Sequence, residues 1–283
     1  MQTVWLSIFV VFLQLLSGCT KMVADSMLRP VITNLQHQTD IELVCEGTPS
    51  FLLMVDSMVA SDPEDKKLLI TATKAFSGYA AALDVCNKSQ RAATVSIKAR
   101  RYGLSLLWPR ADLHTITTLP LPDLQDALAK LSKSDVDSLF WAGNGWTTWI
   151  QHQQGSPASL AQLIRVEQIM LRVLELDETY YYGAAHLFLG VYHGSKPPLL
   201  GGKLKESRRH FERALAISNR EYLPGLVLYA GTYARMSFDR ELFSSLLQEV
   251  LDFPLESKPD LGLANQLAKR NAQKLLSEID MFF

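Results

Sequence analysis

Residues 204–218, LKESRRHFERALAIS, place Leu204, Ser207, Phe211, Ala214 and Leu215 along one stripe with polar residues between them. That is the i, i+3, i+4, i+7 spacing of a helix that must be covered by another helix. The same period recurs along most of the chain, and no sustained apolar/polar alternation of a half-buried strand accompanies it. The pattern constrains the fold to helices packed on helices. With 48% hydrophobic residues the chain can build a sizeable core.

Proline and glycine punctuation divides the pattern. A helix is expected from Pro30 to about Cys45, stopping at Gly47, with Pro49 opening the next through Phe51, Leu52, Val55, Met58 and Val59. Asp62-Pro63-Glu64 reads as a cap and first turn for a helix carrying Leu68, Leu69, Ala72, Phe76 and Tyr79. Helices follow over Ser89–Leu107 and Leu121–Leu131, with Thr115–Pro122 as a loop. The second half gives Ser138–Gln153, Ala158–Leu176, Tyr182–Tyr192, Leu204–Ser218, Leu223–Arg235, Arg240–Leu251 and Leu261–Ile279.

Paired helices in units of about 34 residues are the signature of tetratricopeptide repeats. Such a repeat wants a small residue, an aromatic four later, and a small residue three after that. Ser207, Phe211 and Ala214 fit; Val166, Met170 and Val173 fit more loosely; Leu242 and Leu246 are weaker. The expected fold is all-α: helical hairpins with divergent tetratricopeptide-like repeats in an α-solenoid-like bundle. The repeat-like part covers about 138–255 of a single domain at 31–283. A generic helical bundle is the simpler competing architecture.

The first residues read as an address. Val4–Leu16, VWLSIFVVFLQLL, is uncharged and suits a signal-peptide h-region, although the first basic residue is Lys21. Leu16-Ser17-Gly18-Cys19 resembles a bacterial lipobox: small residues admit the peptidase, and the Cys19 thiol accepts the lipid. Residues 1–18 are then a signal and 19–30 a lipidated tether. Acyl chains worth about 0.8 kcal/mol per buried CH₂ would hold the protein on a membrane facing the periplasm. No later run of 18 apolar residues is evident, so no spanning helix is expected in the mature chain.

Cys45 and Cys86 remain. An oxidising compartment permits a bridge, and two free buried thiols are equally compatible with the sequence. With 28 basic and 29 acidic residues, nothing points to nucleic acid. Cofactors are not indicated: zinc spacings, a nucleophile elbow and a phosphate loop are all missing. An enzyme is not expected, and an envelope hydrolase would need an unrecognised catalytic cluster.

Several stretches, in order, resemble the T component of tripartite ATP-independent periplasmic (TRAP) transporters. They are DIELVCEGTPSFLLMVDSMVASDPEDKKLL, FSGYAAAL, LFWAGNGWTTWI and AAHLFLGVYHGSKPPLLGGKLKESRRHFERALAIS, spanning about 38–283. The last is the most specific, coupling a Pro-Gly-Gly insertion to the Phe211 helix. The resemblance implies a periplasmic lipoprotein assembled as a homotrimer. It would dock the solute-binding P component and help pass a ligand, expected to be apolar, toward the permease. A tetratricopeptide-like scaffold for envelope assembly, with no ligand, is the alternative.

Candidate binding residues follow from side-chain type. Trp141, Asn144, Trp146 and Trp149 crowd one helix beside Gly143 and Gly145, glycines that cost helix stability unless something packs closely. They suit a cleft or an interface, though core packing explains them more simply. Tyr180, Tyr181 and Tyr182 must point in different directions on a helix, so at least one faces solvent or a cleft, Tyr181 being the candidate. His186 lies two turns from His193 with no metal-spaced partner, and a structural role suits it better than a metal site. Lys203, Lys205, Arg208, Arg209 and Arg213 form a basic cluster, of which Lys203 and Arg208 are candidates for an acidic ligand or partner; a solvated face is the default.

Overall fold

A computed structural model describes residues 28–196 and 201–283. The signal, Cys19 and nearly all of the expected tether lie outside them. All described elements are helical: α1 at 28–37, α2 Ile41–Ser61, α3 Lys66–Val85, α4 Ser89–Ser105, α5 Leu121–Ala129 and α6 Val136–Gln151. Then come α7 Pro157–Leu160, α8 Leu163–Asp177, α9 Tyr180–Gly194, α10 Leu204–Ile217, α11 Pro224–Tyr229, α12 Arg240–Asp252 and α13 Gly262–Ser277. No strand occurs among the described residues, so the fold is all-α as expected.

Two expected helix boundaries are corrected. Gly47 and Pro49 do not interrupt the chain: α2 runs unbroken through both. Proline removes the donor that the carbonyl four residues earlier would have used. Here that carbonyl belongs to Cys45, and the Tyr79 hydroxyl of α3 donates to it at 3.0 Å. The lost helical bond is replaced by a tertiary one. Asp62 closes α2 instead of opening α3; Asp65 caps α3, its carboxylate accepting from the backbone N–H of Lys67 and Leu68. By length and composition α2 could cross a membrane. Its Val44, Leu52, Val55 and Val59 face is instead buried in the fold.

Cys45 and Cys86 form a disulfide pinning α2 to the end of α3. The bridge spans 41 positions, a loop whose closure entropy is worth about 4 kcal/mol in the chain-entropy model. The larger core runs from α1 to α9 and includes Phe76, Phe140, Trp141 and Trp146. A second core joins the later part of α9 to α10–α13 around Phe211, Tyr229 and Phe243. A third, smaller cluster joins α13 to α2 and α3: Leu263 and Leu267 pack on Ile41, Val44, Cys45 and Ala82. His37 bonds Asp260 at 2.8 Å and Arg270 pairs with Glu42 at 3.3 Å, reinforcing the same junction.

Glycines set the helix approaches. A Cβ on Gly145 would sit 2.4 Å from the Ala99 carbonyl oxygen, and one on Gly103 would sit 2.8 Å from the Trp141 carbonyl oxygen. Helices α4 and α6 are therefore antiparallel and in backbone contact. In α9 and α10, Gly194 faces Ser207 and Gly190 faces the Phe211 ring, while the Ser207 hydroxyl donates to the Gly190 carbonyl at 2.7 Å. The stripe that set the fold class is thus covered by its preceding helix.

Gly145→Ala is expected to destabilise the protein by about 2 kcal/mol, because the helix-propensity gain of about 1 kcal/mol is outweighed by overpacking against backbone that cannot rotate away. Urea unfolding checks this, with Gly78→Ala, whose added methyl would meet nothing within 4 Å, as the tolerated control.

Candidate functional site

The return of α13 onto α1, α2 and α3 leaves an apolar cavity of about 490 Å³. That volume lies within the roughly 300–1,000 Å³ of small-molecule sites. Ile32 and Leu35 come from α1, Val44, Thr48 and Phe51 from α2, and Lys74, Ala75 and Gly78 from α3. Tyr181 and Tyr182 enter from α9, Tyr222, Pro224, Val227 and Leu228 from in and around α11, and Leu263, Ala264 and Leu267 from α13.

The tyrosines reach the cavity through an unusual backbone. Tyr181, Tyr182 and Gly183 have φ of 46°, 61° and 71°, so the first turn of α9 is left-handed. For Tyr181 and Tyr182 that costs roughly 1–2 kcal/mol each. Strain of this kind persists where the surroundings over-determine it, and it concentrates at functional sites. The surroundings here are aromatic. Tyr182 stacks on Tyr222 with centroids 5.1 Å apart, and Tyr181 meets Trp141 edge-on at 4.8 Å. Burial pushes the Tyr181 phenol up to about 12, so it stays neutral and can donate.

Several polar groups interrupt the apolar lining, Lys74 and Thr48 among them. Lys74 reaches its ammonium over Trp141, 4.7 Å from the ring centroid, and lies 5.8 Å from that of Tyr181. The side chain is open to solvent in the cleft yet crowded by protein. Burial lowers its pKa, and Asp137 partly opposes that shift. Thr48 is buried, and its hydroxyl has no hydrogen-bond partner.

The residues expected from sequence do not converge on one place. Tyr181 lines the cavity, and Trp141 lies behind it, donating its indole N–H to the Tyr180 hydroxyl at 3.1 Å. Trp146 is fully buried and bonds Gln162 at 2.8 Å; Arg100 covers Trp149 at 4.1 Å. These two tryptophans and Asn144, whose buried Oδ1 is unpartnered, belong to the helix core away from the cavity.

His186 and Lys203 line a separate basin with His193, His210, Arg209 and Arg213. Arg208 is exposed, lines neither space and pairs with Glu212 at 2.7 Å. The sequence pattern does not single out Lys74, Thr48 or Tyr222. A lone lysine inside the FSGYAAAL helix carries no motif, and the cavity exists only once α13 has closed on α3.

The match to known proteins decides the family. Residues 37–283 match the family described as TRAP transporter T-component. The chain belongs to that family. The chain is also similar to an uncharacterized protein of Treponema pallidum (strain Nichols), 22% identical over 265 residues, covering 87% of this chain and 81% of that protein.

In the second basin, His186 Nδ1 lies 2.8 Å from His210 Nδ1, an arrangement that needs one donor and one acceptor and is lost if both rings are charged. His186 also approaches Glu178 at 3.3 Å, and Arg213 holds that carboxylate down to about 2. Among the described residues no group of His, Cys, Asp or Glu is arranged to hold a metal.

Burial, helped by His186, His193 and Arg209, lowers His210 to about 4. The folded protein therefore binds fewer protons than the unfolded chain between about pH 6.5 and 4, and stability is lost as pH falls through that window. His210→Gln is expected to remove ~2 kcal/mol of this dependence, read as a shallower fall of denaturation midpoint from pH 7 to pH 4.5.

Proposed function

We propose that this protein is the periplasmic accessory of a TRAP transporter: it docks the solute-binding P component and holds the transported ligand in its own cavity on the way to the permease. The apolar cavity closed by α13 carries the reading. A scaffold needs surfaces, whereas this chain holds two tyrosines in a strained conformation to line an interior. The lining is mostly aliphatic and aromatic, which suits an apolar ligand.

Family membership supports association with transporter components. The lipobox supports a membrane anchor at Cys19, which would keep the cavity close to the permease. A closed homotrimer completes the proposal, giving several cavities on one anchored body.

Native mass spectrometry of residues 20–283 mixed with the cognate solute-binding protein tests the docking. The expected result is a trimer carrying the receptor. A monomer that ignores the receptor at high concentration would contradict the proposal and favour a scaffold. Cys19→Ser is expected to abolish palmitate labelling and, because signal cleavage follows lipidation of the thiol, to leave the uncleaved precursor. Continued palmitate labelling, or normal cleavage before position 19, in Cys19→Ser would contradict lipidation at Cys19.

A further inference from the structure

We infer that the cavity takes an amphipathic monocarboxylate, with the carboxylate against Lys74 and the apolar body along Phe51, Val227 and Leu267. The inference rests on the proposed ligand-holding role and adds the chemical class. Lys74 is the sole lysine or arginine among the described residues that line the space. No carboxylate of the described residues lies within ion-pair distance of it. Asp137 influences it from further away and pairs with Lys66 at 3.8 Å.

The acid on the lining, Asp260, is engaged by His37 at 2.8 Å. Within the cavity Lys74 is therefore a cation steadied by two aromatic faces and paired with no carboxylate of the described residues. An ammonium crowded by protein regains favourable energy when an anion joins it, and an apolar surrounding strengthens that pair relative to water.

The Tyr181 phenol, held neutral beside the same ammonium, is a second donor for a carboxylate. The unpartnered Thr48 hydroxyl shows that the lining holds hydrogen-bonding capacity that the protein itself does not use. Burial lowers the Lys74 pKa, so the preference for an anion fades at a lower pH than it would for an ordinary lysine.

The test compares decanoate with decanol, equal in chain and different in charge, by isothermal titration calorimetry. It uses residues 20–283 produced without the signal, so that no acyl chain competes for the cavity. The wild-type cavity is expected to bind decanoate at least about tenfold more tightly than decanol. Lys74→Met keeps the packing stem and should lose that preference while retaining decanol; Lys74→Arg should keep it.

Equal binding of the two probes, or unchanged decanoate binding in Lys74→Met, would overturn the assignment of a carboxylate and leave the ligand-holding role standing. If neither probe binds the wild-type protein, the ligand-holding role falls and this inference with it. Should Lys74→Met fail to fold by circular dichroism, the wild-type comparison and Lys74→Arg still decide.

Discussion

The contact between Leu263 and Leu267 of α13 and the Ile41–Val44–Cys45–Ala82 face of α2 and α3 gives this protein its interior. Helical hairpins stacked in sequence have two free ends and a continuous core, but no reason to enclose anything. Here the last long helix comes back to the first ones. The apolar seam does the joining, and the His37–Asp260 and Arg270–Glu42 contacts set its register. The cavity is the space that seam closes. It is lined from both halves of the chain, so its shape depends on the seam as much as on any residue that faces it.

The N-terminal side of the seam is stiffened where it meets α13. The Cys45–Cys86 bridge and the Tyr79 bond to the Cys45 carbonyl lie within one helical turn of each other on α2. Together they tie α2 to α3 at the point where Pro49 would otherwise weaken the helix. Opposite them, the left-handed turn at Tyr181–Gly183 is held by Trp141 and Tyr222, one from each half of the chain. The costs of a proline inside a helix and of two left-handed tyrosines are offset by contacts made across the fold. Both features border the same cavity.

How far the sequence reached follows from the range of each interaction. Helical periodicity is local, so the all-α class and most helices were legible, including the Phe211 stripe and its partner helix. The glycines beside Trp141 were read as a sign of close approach, and Gly145 does lie against the α4 backbone. Pro49 was misread because its compensation comes from Tyr79, 30 positions away, and no local rule contains that bond. The tyrosine triplet was read as a helix facing three ways; its left-handed geometry reflects packing against Trp141 and Tyr222. Lys74 was invisible because its significance comes from what α13 and α9 place around the same space. Composition could flag tryptophans, but it could not distinguish Trp141 beside the cavity from Trp146 inside the core.

The central claim is that the closed seam creates a binding cavity, and the most direct measurement is the fluorescence titration of a neutral apolar dye, N-phenyl-1-naphthylamine, against the wild-type protein and Ala264→Trp. Ala264 lines the cavity from α13, and an indole there would occupy it. The account predicts saturable, blue-shifted binding at one site per chain, lost in Ala264→Trp at unchanged helicity. Equal dye binding by both proteins, or none by the wild type, would contradict it.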